Sequence, residues 1–241
     1  MADNSSTSQS KKTFSISEVF SFGWNKTFQN LVFYIVFTLV FIVVYSALEF
    51  LTGRAGLLRI IFLVILIAFD FAFGYLSVLI ALRVYNNEKL ELSKFTSYIQ
   101  FDNRFWNYVG GGILLAVGFI IGYLLILGSS ALMVHFALQR SLVFLLFIII
   151  IVVLSVLLII YSIALSFWAY IIIDQNKQII ESIKESYRIT KRKKWKIFGF
   201  LFILSILNIV GFFLLLVGLL ITIPISILSM VFLYKKLEEI A

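Results

Sequence analysis

The chain alternates between long apolar blocks and short polar stretches, and charge is nearly absent from the blocks. Blocks of about 20 residues or more match the length a helix needs to cross roughly 30 Å of hydrocarbon. The first covers residues 31–51, and the second covers 57–84 with Asp70 near its middle. The third, 105–127, holds Gly110, Gly111, Gly112, Gly118 and Gly122, which let neighbouring helices approach closely. The fourth lies within 142–173, longer than a perpendicular span requires, so it must tilt or run past the hydrocarbon. The last apolar stretch, 195–234, holds two spans. Its dividing point has two readings, a turn at 208–211 or one at 218–224. In the second, which is preferred, Thr222 and Pro224 open a short last helix.

The polar stretches carry a pattern of their own. Ser15-Ile-Ser-Glu-Val-Phe-Ser-Phe-Gly-Trp24, followed by Lys26, precedes the first block. Ser93-Lys-Phe-Thr-Ser-Tyr-Ile99, followed by Arg104 and Trp106, precedes the third. Ser182-Ile-Lys-Glu-Ser-Tyr-Arg-Ile189, followed by Lys191 to Lys194 and Trp195, precedes the fifth. In the last of these, Ile179, Ile180, Ile183 and Tyr187 recur at helical spacing. Ser15 with Glu18 matches a capping box. One reading is a threefold repeat, 14–84, 90–173 and 178–237, each unit an amphipathic interfacial helix followed by a transmembrane hairpin. The other is that unrelated loops converge on the same pattern, because aromatic rings and cations collect at any membrane boundary. Both stay open on the sequence.

Composition removes the soluble alternatives. Hydrophobic residues make up 62% of the chain and charged residues 13%, with mean hydropathy +1.07. A soluble domain carries about a quarter charged residues, and here too few polar side chains exist to cover a wet surface. The predicted class is therefore all-α: a polytopic six-transmembrane-helix bundle with amphipathic interfacial helices on the cytoplasmic side. Residues 14–241 form one membrane domain, and the polar first 13 residues form a disordered cytoplasmic tail. That tail lacks the apolar core of a signal peptide, so the first span is expected to stay as an anchor.

Charge sets the direction. Seventeen of the 20 Lys and Arg residues fall at the N-terminus, in the second and fourth loops with their edges, and at the C-terminus. Only Arg54, Arg59 and Arg140 fall on the other side. The rule that cations stay inside puts both termini in the cytoplasm, with the protein in the inner (plasma) membrane. The net charge of +8 lies mostly beside spans, which points to anionic membrane lipid, with a membrane-protein partner as a further expectation, and not to nucleic acid.

Residues 161–170 (Tyr-Ser-Ile-Ala-Leu-Ser-Phe-Trp-Ala-Tyr) and 180–187 (Ile-Glu-Ser-Ile-Lys-Glu-Ser-Tyr) share a pattern with a known group. So do Trp195-Lys-Ile-Phe198, Asn208-Ile-Val-Gly211 and Gly218-Leu-Leu-Ile-Thr-Ile-Pro224. On these motifs the last third of the chain resembles the YciC-like bacterial membrane proteins. Those are related to the membrane domain fused to some glycerophosphoryl diester phosphodiesterases. The resemblance implies a six-helix membrane domain and brings no catalytic residues. The phosphodiesterase portion of the fused relatives, rich in acids and His, has no counterpart in this sequence, so that activity is not carried over.

Asp70 is the sharpest single residue. An acid at the centre of a span costs roughly 2.5–3.5 kcal/mol on insertion scales. It reads either as a proton or cation site, or as a carboxyl hydrogen-bonded to a Ser, Thr, Tyr or Asn of another span; the second is favoured, since no other central charge accompanies it. Arg59 shares its helix face but lies about 16 Å away along the axis. Glu49, Arg54 and Arg59 mark the outer end of the first hairpin, and the lone His135 sits in a loop at 129–140.

The run Lys191, Arg192, Lys193, Lys194, Trp195 and Lys196 is the densest charge and reads as a lipid-headgroup contact, a topology signal, or both. With no cysteine there is no disulfide or thiolate metal site, and no phosphate-binding Gly loop, zinc motif or nucleophile turn is present. Enzyme, cofactor and metal are thus not expected. The leading expectation is a non-catalytic scaffold that organises anionic lipid or assists membrane-protein assembly. A transporter or channel component using Asp70 is the alternative.

Overall fold

The computed structural model describes residues 14–139, 142–214 and 217–240. The first 13 residues and Arg140, to which the sequence assigns a tail and an outer charge, lie outside that range. An unpaired backbone group in hydrocarbon costs several kcal/mol, and a helix satisfies nearly all of its own. The apolar blocks accordingly form helices, and the described residues contain no strand. In chain order the helices are α1 Ile16–Gln29, α2 Leu31–Arg54, α3 Arg59–Tyr85, α4 Phe95–Tyr98 and α5 Asn103–Leu138. They continue with α6 Phe144–Ala164, α7 Trp168–Gln175, α8 Ile179–Thr190, α9 Lys194–Phe213 and α10 Leu219–Ile240. Six segments are long and apolar enough to cross a membrane: α2, α3 with the turn before it, α5, α6 with α7, α9 and α10.

Three hairpins result, α2/α3, α5/α6 and α9/α10, and a shorter helix (α1, α4 or α8) precedes each. α10 is the hub, packing against α1, α2, α3 and α9. The core gathers at the end of the bundle that carries most of the Lys and Arg, here termed the basic end. There Ile80, Ala81 and Val84 of α3 are buried with Ile171 to Ile173 of α7, Phe200 of α9 and Leu228 to Leu237 of α10. At the opposite end Leu57, Ile60, Leu138, Leu142 and Phe213 stand exposed. Exposed side chains of this kind suit a hydrocarbon solvent, where helix association rests on close packing of small residues and not on apolar burial.

Several boundaries differ from the sequence reading. α5 runs 36 residues, on past 127, and takes His135 into its last turn. Ser129 and Ser130 do not stop it, because their hydroxyls donate to Leu125 O and Ile126 O one turn back. α9 continues through 208–211, and the chain reverses after Phe213, close to the preferred dividing point. α10 starts at Leu219, so Pro224 lies inside it and does not open it. Ser15 does cap α1 with extended backbone, but its side chain makes no cap bond, so the capping box is absent.

The short helices also turn their faces in unexpected directions. α1 buries Val19, Gly23 and Thr27, and Gly23 sits directly against Ser229 and the backbone of Ile225 on α10. α8 buries Ser182, Ser186, Ile189 and Thr190, and leaves Ile180 and Tyr187 exposed. On α8, Ser186 and Thr190 face the protein because they cover open backbone.

Candidate lipid site at the basic end

The fourth apolar block is one continuous stretch in sequence but two helices in space. α6 ends at Ala164, three residues turn, and α7 begins at Trp168. α7 itself stops where Asn176 adopts a left-handed conformation, φ 52°. A break at this depth leaves backbone groups without helical partners, and each must find one. Ser186 of α8 serves two of them. Its Oγ donates to Ala164 O at 2.9 Å and accepts from the Phe167 N–H at 3.2 Å. Thr190 Oγ1 adds a longer bond to Ala164 O at 3.3 Å. The stripe Ser182, Ser186, Thr190, spaced four residues apart, was visible in the sequence and is the signal that would have located this dock.

Docked in this way, α8 crosses beneath the α5/α6 pair. Those helices lie close because Gly118 and Gly122 of α5 face Tyr161 and Leu158 of α6. Between the three helices runs a groove of about 840 Å³. Its walls are apolar, with Leu115, Gly118 and Ile121 on one side and Leu157 on the other. α8 closes one end with Ile183, Lys184 and Tyr187, and Lys194 joins them from the start of α9.

The basic run occupies the turn from α8 into α9 and so does not lie along one helix face. This turn folds Lys194 back over α8, with its Nζ 5.2 Å from the centre of the Tyr187 ring. Lys191, Arg192 and Lys196 are exposed, and Trp195 is 86% exposed. Among the described residues none of Lys184, Lys191, Arg192, Lys193, Lys194 and Lys196 has a carboxylate partner. The nearest acid of α8 is already engaged: Glu185 meets Arg188 at 2.6 Å and Lys177 at 4.0 Å. Hydrogen bonding to Arg188 holds the Glu185 carboxyl below its ordinary pKa. Partial burial, with Lys196 nearby, pushes the Lys193 pKa below its ordinary value. No known protein family, curated protein or solved structure matches the chain.

The other cations divide into two kinds. Lys235 is not free, since it pairs with Asp174 at 2.6 Å inside a cluster that also holds Tyr234, Gln175 and Glu238. Arg104 donates to Ile173 O at 3.1 Å and so ties α5 to the end of α7. Both serve the fold and were counted in the sequence only as topology signals.

Asp70 stands apart from this region. It is exposed, and among the described residues it has no hydrogen bond or ion pair, so the favoured expectation of a polar partner on another span is not met within the chain. Ser77, Ala81 and Val84 follow it on the same face of α3, and all three are buried. Arg54 lies over the Phe50 ring at 4.3 Å, and Glu49, Arg54 and Arg59 form no ion pairs among the described residues. His135 pairs with Gln139 at 3.1 Å, one turn along the same helix.

Proposed function

We propose that the protein is a non-catalytic membrane scaffold that gathers anionic lipid around its basic, cytoplasmic end, in the plasma membrane, and supports membrane-protein assembly there. The observation that carries this reading is that Lys184 of α8 and the five cations from Lys191 to Lys196 have no acid partner among the described residues. Beside an anionic leaflet each such charge contributes on the order of 1 kcal/mol. Kinship with the YciC-like group is proposed on the sequence motifs within residues 161–224 alone.

The test is to change Lys191, Arg192, Lys193 and Lys196 to Gln together and extract the protein with its surrounding lipid in nanodiscs. The anionic share of that lipid is expected to fall several-fold, as it should for wild type at high salt. An unchanged lipid profile and unchanged recovery of partner proteins would reject the scaffold.

A second reading, a transporter or channel component, rests on Asp70, an acid within α3 that has no polar partner among the described residues. Under the scaffold reading, Asp70→Asn leaves ion and proton flux across proteoliposomes at the wild-type level. A flux that is present in wild type and lost in the variant would put transport first.

A further inference from the structure

We infer that the groove between α5, α6 and α8 is a dedicated site for one phospholipid with an anionic headgroup. Its phosphate lies between Lys184 and Lys194, and one acyl chain lies along Leu115, Gly118 and Leu157. The inference deepens the lipid-gathering reading and rests on it for the sign of the headgroup.

Shape, polarity and charge agree on this occupant. The groove measures about 840 Å³, within the range of small-molecule sites, and it faces outward from the bundle, where lipid has access. Along α5 its wall runs from Leu114 to Ile121, about 10 Å of helix axis. An apolar channel next to hydrocarbon takes a chain more readily than water, which finds no partners there. Polarity is concentrated at the α8 end, where the two lysines and the Tyr187 ring meet. Neither lysine is neutralised: Glu185 is held by Arg188 and Lys177, and Glu181 does not line the groove. An apolar slot with two free cations at one mouth complements a phospholipid in both halves. A free phosphate would use the cations and leave the channel without an occupant.

The site also differs from the surrounding charge in what it selects. Lys191, Arg192 and Lys196 lie outside the groove lining and can attract any anionic headgroup that diffuses past. Lys184 of α8 and Lys194 at the start of α9 both line the same end of the apolar groove, so their ligand has a fixed place.

The experiment is native mass spectrometry of the full chain from nanodiscs holding equal phosphatidylglycerol and phosphatidylcholine, with collisional activation raised until loosely held lipid is gone. Wild type is expected to keep one phosphatidylglycerol. Leu157→Trp, on an exposed stretch of the groove wall, fills the slot and should lower that occupancy at least tenfold, and Ile121→Trp on the facing wall should reproduce the loss. Leu146→Trp, equally exposed on α6 but away from the groove, should retain the lipid and controls for folding. Lys184→Gln with Lys194→Gln should keep one lipid but lose the preference for phosphatidylglycerol. Equal occupancy in Leu157→Trp, Leu146→Trp and wild type would overturn the site, as would a retained lipid with no headgroup preference in wild type. The fourfold Gln variant separates the two proposals, because it should shed the anionic annulus and keep the single lipid. If wild type gathers no annulus yet keeps that lipid, the scaffold fails and the groove stands. An annulus without a retained lipid has the reverse meaning.

Discussion

Ser186→Val separates α8 from the α6–α7 break and lowers the unfolding temperature. Valine removes both roles of the hydroxyl and adds one methyl to a fully buried site, an added bulk that Ser186→Thr shares. The Phe167 N–H then loses its partner, and Ala164 O keeps only the longer bond from Thr190. Each orphaned group in a buried site costs on the order of 1–3 kcal/mol. Trp168 begins α7 next to the break, so tryptophan fluorescence during thermal unfolding in detergent reads the loss once Trp24, Trp106 and Trp195 are replaced by Phe. Ser186→Thr, which keeps an Oγ, should recover much of the difference. A valine variant that melts with wild type would show that the break draws its stability from elsewhere, and α8 would lose its role in shaping the groove.

Gly23→Leu should release α1 from α10. A Cβ at this position meets Ser229 Oγ, which has some freedom to turn, and the Ile225 carbonyl, which belongs to helix backbone and does not. Overpacking of a buried contact typically costs about 1–3 kcal/mol, and rigid backbone on one side places this case toward the upper end. Limited proteolysis should then cut within α1 under conditions that leave wild type intact, while the six long helices stay protected by the membrane. If α1 remained protected and the melting temperature unmoved, the close approach at Gly23 would not be what seats the helix.

How far the sequence revealed this arrangement depended on the range of the interaction involved. The long helices were legible because hydrocarbon demands an uninterrupted apolar run, and a run is a local property. The break at Ala164 was not legible: residues 161–173 contain no Gly or Pro, and the groups that tolerate the interruption come from Ser186 and Thr190, about 20 residues downstream. The same distance misled the reading of α8. Its apolar periodicity through Ile180, Ile183 and Tyr187 marked a face correctly, but Ser182, Ser186 and Thr190 form the face that the protein covers.

Of the candidate site, the run from Lys191 to Lys196 was plain, whereas the placing of Lys194 with Lys184 at one end of the groove needed the turn that brings Lys194 over the Tyr187 ring. Asp70 illustrates the opposite case. Its cost in a span was readable from identity and position, while the expected partner within the chain is absent among the described residues.

The contact between α1 and α10 joins helices about 200 residues apart in the chain, with every other described helix lying between them. Translation delivers α1 long before α10 exists, and a contact of such sequence separation closes late. Until then the stripe of Val19, Gly23 and Thr27 has no protein to cover it, and an amphipathic helix in that position rests at the membrane surface. The seating of α1 is therefore a late step of biogenesis: it waits until the α9/α10 hairpin has reached the bundle.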